Sequence, residues 1–260
     1  PYLSSTFLVC AKCDREFHPS AQMHVVQNMT DVRNRFQRFW NPIFIPHWPQ
    51  PGLISRDKSR DKKIENIVFM GTRSNLIEEF RSEKWTSALK ALGCEWNPIF
   101  SPSKWSDYSE ADVIVAVRTF DGKTYDHKPA SKLVNAWKAG VPAVLTAESA
   151  FVDVKKSDLD FLEVSSIDEA INAIKRLKSN PKLYKSIVEN GFQRAQEFSD
   201  ELITECWINF FKDQVFPMYQ RWQQTSSYNK SIWFARRQLG LKAHRARKRV
   251  SAWNQALSNR

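Results

Sequence analysis

Two lysines four residues apart, Lys128 and Lys132, stand at the start of a helix-like segment, HKPASKLVNAWKAGVPAV, over residues 127–144. A helix N-terminus already presents free N–H groups and about half a unit of positive charge. Added cations there are unfavourable by roughly 0.3–1 kcal/mol each unless an anion binds. The pairing fits a phosphate-bearing ligand; the bland alternative is two solvated surface cations. Two further loops fall after apolar runs. GTRSN follows IENIVFM and offers Arg73 as another cation, and TAESAF follows VPAVL and offers Glu148. Glu148 is read either as facing a ligand bound at that strand end or as an exposed loop carboxylate.

A second set of chemistry-bearing residues is Cys10, Cys13, His18 and His24, spaced C-x2-C-x4-H-x5-H like a zinc knuckle. A knuckle with a basic tail would read nucleic acid. Cys10 and Cys13, however, lie in a run that alternates like a strand, and no glycine eases the turns. The expectation is a buried strand with polar loop histidines and no metal. Asp158 and Asp160 in SDLD are expected in a solvated turn rather than as a metal motif.

The net charge of +11 is concentrated. After Asp213 the chain has ten Lys and Arg and no acid. Residues 1–213 are therefore close to neutral, and the basic balance describes the tail only. That tail mixes cations with Trp233, Phe234, Leu239, Leu241, Val250 and Trp253. A helix packed back on the domain, a membrane-surface helix and a nucleic-acid arm are its three readings. No run approaches the length of a transmembrane helix. The four cysteines are too scattered for a disulfide framework, so a cytoplasmic setting is expected. No signal-peptide pattern is present, and the initial proline reads as a processed or truncated start.

The elements that would position these residues alternate. Two short strands are expected around TFLVCAK and MHVVQN. The proline-rich NPIFIPHWPQPGLISRDKSR, residues 41–60, reads as an extended linker. From residue 64 to about 180, buried apolar runs (IENIVFMG, CEWNPIF, ADVIVAVR, VPAVLT, DFLEV) alternate with helical periodicities. The helices expected are SNLIEEFRSEKWTSALKALG, PASKLVNAWKAG, SIDEAINAIKRLKSN with a Ser166–Glu169 capping box, and PKLYKSIVENGFQRAQEF. A further helix over DELITECWINFFKDQVFPMYQRW is kinked or ended by Pro217. The order implies an α/β, Rossmann-like parallel sheet with helices on both faces.

The segment KLVNAWKAGVPAVLT resembles the donor-site segment of GT-B glycosyltransferases, especially retaining families that use nucleotide-sugar donors. The resemblance covers roughly residues 64–200 and rests on Lys-Leu and Gly-Val-Pro together. It implies that Lys132 binds phosphate and that Gly71 opens the C-terminal domain. Where those families carry a Glu-x7-Glu pair, this chain has His127 and Asn135, so the usual carboxylate roles are replaced. Asn135 retains an amide for a ribose hydroxyl and His127 a donor for sugar or phosphate.

The resulting expectation is a partial N-terminal, acceptor-side domain with linker over 1–56, a donor-binding domain over 57–199 and C-terminal helices with a basic tail over 200–260. The substrate-binding residues are Gly71, Thr72, Arg73, His127, Lys128, Ser131, Lys132, Asn135 and Glu148. No catalytic residue is assigned, and no metal or cofactor is expected beyond the nucleotide-diphosphate sugar. The expected activity is metal-independent transfer of that sugar to a glycan or lipid-linked acceptor, with possible peripheral membrane contact through the tail. The alternatives are a nucleic-acid-binding protein and a non-catalytic nucleotide-sugar-binding protein.

Overall fold

The structure, a computed structural model, describes residues 6–258. Residues 1–5 and 259–260, the start of the expected first domain and the end of the tail, lie outside the described residues. The chain begins with β1 (Val9–Ala11), β2 (Met23–Val26), α1 (Met29–Arg33) and β3 (Pro42–Phe44), and the three strands form a parallel sheet in the order β1-β2-β3. β3 lies inside the stretch expected to be linker. Its proline is tolerated because Pro42 is the first residue of the strand, where a missing N–H costs least.

A second sheet follows: β4 (Asn66–Met70), α2 (Glu83–Ala91), β5 (Glu95–Ile99), β6 (Val113–Ala116), α3 (Ser131–Ala139), β7 (Ala143–Leu145), α4 (Ser149–Val154), β8 (Leu162–Glu163), α5 (Ile167–Ser179) and α6 (Pro181–Gln196). All five strands are parallel, in the order β5-β4-β6-β7-β8. β6 and β7 are buried at every position, as the continuous apolar runs require of strands covered on both faces. The order reverses between β4 and β6. In open α/β sheets that switch point, at the carboxyl ends of the strands, is where ligands bind.

Three local expectations change. The long helix expected from residue 74 is shorter. Two 3-10 turns precede α2, which starts at Ser82, whose hydroxyl accepts the Trp85 N–H at 3.3 Å. TAESAF is not all loop, since α4 begins within it. In the Ser166–Glu169 capping box, Ser166 accepts from the Glu169 N–H at 3.2 Å, but the Glu169 carboxylate accepts from the Ser165 N–H at 2.7 Å instead of from Ser166.

The C-terminal helices are α7 (Asp200–Phe210), one π-helical turn (Phe211–Val215), α8 (Phe216–Gln224) and α9 (Ser227–Ser258). Pro217 does not end the helical run. The π turn lies just before it, where the missing Pro217 N–H leaves the ladder one bond short.

The chain divides into two units, Pro1–Ile45 with Glu205–Arg260, and Pro46–Thr204. This division differs from boundaries at 57 and 200 for a physical reason in each case. Residues 46–60 run along the second unit rather than free: Ile54 bridges to Asp107, and the Arg56 N–H donates to the Ala139 carbonyl at 3.0 Å. The basic helix α9 packs on the first strands, where Leu241 joins Phe17, Val26 and Trp40 in a small core. At Gly240 the helix runs so close to Phe39 that a Cβ would lie 2.5 Å from its ring. Among the described residues no helix is long and apolar enough to cross a membrane.

At the amino end of the five-stranded sheet, Asp112 ties the second unit together. Its carboxylate is fully buried and accepts from Arg56, from Arg60 and from the backbone N–H groups of Glu65 and Asn66, at 2.7–3.0 Å. Burial pushes Asp112 up, but these hydrogen bonds outweigh it and hold the carboxyl below its ordinary value.

Candidate functional site

The carboxyl ends of β4, β6 and β7 converge on the start of α3. Gly140, in the left-handed region at φ 72°, closes α3 as its C-cap, but nothing on its N-cap residue, Ala130, caps the other end. Ala130 has no hydroxyl or carboxylate to satisfy the first-turn N–H groups. α2, α5 and α6 in the same unit are each capped by a side chain, from Ser82, Ser166 and Asn180. The short α4 also lacks a side-chain cap, and at the start of α3 the Leu133 N–H turns back to the Ala130 carbonyl at 3.0 Å, which leaves the N–H groups of Ser131 and Lys132 for another acceptor.

Lys132 sits in that turn, partly buried. Its ammonium donates to the Met70 carbonyl at the end of β4 and lies 4.9 Å from the centre of the Phe69 ring. Gly71 makes this approach possible, since a Cβ there would be 3.0 Å from Lys132 Nζ and 2.9 Å from the Phe69 ring. Burial, reinforced by the Arg118 charge, lowers the Lys132 pKa to about 7.

Arg118, two residues past the end of β6, pairs with Glu148, three residues past the end of β7. The Glu148 carboxyl is buried at 1% exposure, so the exposed-loop alternative for it is excluded. Burial raises its pKa despite the Arg118 partner. Glu148 Oε1 and Arg118 Nε are both buried without a hydrogen-bond partner among the described residues. Arg118 was not singled out in the sequence; its only signal was a cation closing the apolar run ADVIVAVR. Lys128 contributes its charge to both Lys132 and Glu148, so three cations and one carboxylate share this edge.

The other expected residues divide. Thr72 and Arg73 follow Gly71 on an exposed 3-10 turn; the Thr72 hydroxyl is 3.3 Å from that of Ser74, and the Arg73 guanidinium lies 4.6 Å from the Phe100 ring centre. Ser131 opens α3 and is half-buried, and His127 is exposed in the preceding loop. Asn135 is buried one turn further along, where its Oδ1 accepts the Gln50 N–H at 2.9 Å and its amide reaches Tyr108. Asn135 thereby anchors the proline-rich strap.

The competing clusters resolve differently. His24 is fully buried; its Nε2 accepts the His18 N–H at 2.9 Å and its Nδ1 lies 2.8 Å from the Trp40 carbonyl. Burial lowers its pKa to about 4, and both ring nitrogens are committed to backbone. Among the described residues no group of three or more His, Cys, Asp or Glu is arranged to hold a metal. Asp158 is exposed as expected, but Asp160 is not solvated. It is buried, accepts from the Lys156 and Ser157 N–H groups at 2.6 and 3.0 Å and from Asn190 at 2.8 Å, and faces Arg194 at 3.2 Å.

No family model and no curated protein matches the chain. Solved structures do. A sucrose-phosphate synthase from Thermosynechococcus elongatus superposes with a TM-score of 0.54 at 16% identity, over 77% of this chain and 60% of that one. Anabaena HepE, solved with UDP and glucose, gives 0.52 at 12% identity over 75% and 64%. The pneumococcal O-GlcNAc transferase GtfA, solved with UDP and GlcNAc, gives 0.50 at 15% identity over 75% and 45%. The chain spans less than two thirds of the length of each of these proteins. The likeness is one of fold, and this chain, with its parallel sheets flanked by helices, has the GT-B glycosyltransferase fold.

Proposed function

We propose that the chain binds a nucleoside-diphosphate sugar at the carboxyl edge of its five-stranded sheet and transfers the sugar to a glycan or lipid-linked acceptor. One observation carries this reading: an uncapped helix start loaded with Lys132 and Lys128, at the switch point, beside an Arg118–Glu148 pair that retains unpartnered buried atoms. Phosphate oxygens would accept from the first-turn N–H groups of α3 and from Lys132, and ligand hydroxyls would meet Glu148 Oε1. HepE and GtfA are solved with UDP, which makes a uridine nucleotide the first candidate.

The chemistry follows from charge. As the bond from sugar to diphosphate breaks, negative charge grows on the leaving oxygen. Cations already fixed around that position stabilise it without having to reorganise. Lys132 is only partly protonated at pH 7, so an arriving diphosphate draws further proton onto it and gains an ion pair within a partly dry site. Metal independence and acceptor contact through the exposed apolar side chains of α9, Tyr228, Leu239 and Trp253, belong to the same proposal.

A second reading, binding without turnover, is favoured by one observation. The two positions where the resembling families carry glutamates hold His127 and Asn135, and Asn135 is engaged by the Gln50 backbone. Thermal-shift and calorimetric titration with UDP, GDP, ADP and CMP, in wild type and Lys132→Ala, tests the site. Release of UDP from a UDP-sugar in the presence of acceptor separates transfer from binding alone. If no nucleotide shifts the wild type, the donor-site reading fails.

A further inference from the structure

The first unit contains a cavity of about 510 Å³ that the donor-site reading does not use. Phe7, Gln22 and Asn41 on its wall immediately precede or lead into β1, β2 and β3, so it opens at the amino ends of these strands. Its other wall comes from α8 and α9, with Trp222 and Trp233 as aromatic surfaces and Arg221 and Arg236 as cations. Among the described residues no acidic side chain lines it, and none follows Asp213 in the sequence.

Its polar lining is biased towards donors. Gln22 is 3% exposed; its Oε1 accepts the Leu8 N–H at 2.7 Å, while its Nε2 has no partner among the described residues. The Gln22 carbonyl is already taken, accepting from Asn41 Nδ2 at 3.0 Å and from Arg237 at 3.4 Å. Behind the lining and not part of it, Arg237 is 2% exposed, stacked among the rings of Phe39, Trp40 and Trp233 at 4.7–5.1 Å, and its Nη1 has no partner among the described residues. Burial alone lowers its pKa to about 10. On the lining itself, the orphan Gln22 amide donor is costly unless an acceptor from a ligand completes it.

We propose that this cavity is a second binding site, for an oxyanion carried on a ring: the oxyanion meets Gln22 Nε2, Arg221 and Arg236, and the ring stacks on Trp222 or Trp233. A phosphorylated sugar has this chemistry. The phosphate can come from a soluble sugar phosphate or from the headgroup of an anionic lipid. The site is independent of the donor-site reading and belongs wholly to the first unit.

The test is calorimetric titration of the full chain with glucose 1-phosphate, glucose and inorganic phosphate, alongside co-sedimentation with phosphatidylcholine vesicles with and without phosphatidylglycerol. Arg221→Gln with Arg236→Gln removes two exposed cations and leaves the core untouched. Lys132→Ala removes the donor site. Glucose 1-phosphate is expected to bind more tightly than inorganic phosphate or glucose, equally in wild type and Lys132→Ala. Its affinity should fall about tenfold or more in the double variant. Sedimentation that requires phosphatidylglycerol and falls in the double variant equally upholds the site and assigns its oxyanion to a headgroup. Absence of binding to every probe overturns the proposal. So does binding that the double variant leaves unchanged, or that Lys132→Ala alone abolishes.

Discussion

Two charged clusters sit at opposite ends of the same five-stranded sheet. At the amino end, both Asp112 oxygens are saturated by Arg56, Arg60 and two backbone N–H groups, and its carboxyl is held ionised. At the carboxyl end, the paired Arg118 and Glu148 each keep a buried atom, Nε and Oε1, without a hydrogen-bond partner among the described residues, and Lys132 is pushed towards neutrality and Glu148 towards protonation. The first cluster is complete without a ligand and serves the fold. The second is electrostatically unfinished, which is how pKa shifts mark sites of chemistry. Charge alone does not separate the two; satisfaction does.

Breaking the complete cluster should cost most. Asp112→Asn leaves Arg56 and Arg60 facing a neutral amide in a buried setting, and about 3–5 kcal/mol of stability should be lost in urea unfolding. Nucleotide affinity of the folded fraction should not change. Because the Asp112 pKa is depressed in the folded state, its contribution is full above the unfolded value near ~3.9 and is lost as pH falls through the folded one.

Breaking the unfinished cluster should do the reverse. Lys132→Ala should weaken nucleoside-diphosphate binding roughly ten- to hundredfold, while stability at pH 7 holds or rises. The Lys132 pKa is about 7 when folded, against ~10.4 unfolded. The unfolded chain therefore holds the extra proton between these values, and wild-type stability should rise with pH across that window. Urea unfolding of both proteins between neutral and alkaline pH checks the sign, since the rise should be smaller in Lys132→Ala.

Gly71→Ala tests the approach rather than the charge. The added Cβ crowds Phe69 and displaces Lys132 Nζ, so about 1–3 kcal/mol of stability and part of the nucleotide affinity should be lost together. Ser166→Ala removes the cap of α5 and should cost about 1 kcal/mol with no effect on binding, seen by comparing melting curves and titrations.

The sequence disclosed what is local. The strands of the second sheet show as apolar runs, the α3 end as Gly140, and the cationic helix start as Lys128 and Lys132. It hid what depends on distant partners. Asp112 looks like any residue before a strand until Arg56 and Arg60 fold across it. Asp160 looks solvated until Asn190 and Arg194 arrive from α6. Asn135 meets Gln50 from 85 positions away. Arg118 carried no motif, because its role is defined by pairing with Glu148 across two strand ends. β3 was masked by its proline, which breaks the strand signature while the position still tolerates it.

The central claim is that the carboxyl-edge cluster is completed by a diphosphate. Calorimetric titration of UDP, with GDP and ADP alongside, into wild type and Lys132→Ala at neutral pH, in two buffers of different ionisation enthalpy, tests it most directly. The expected result is binding with uptake of a fraction of a proton in the wild type, the uptake absent and the affinity sharply reduced in Lys132→Ala. Failure of every nucleotide to bind, or equal affinity and equal proton uptake in both proteins, would contradict it.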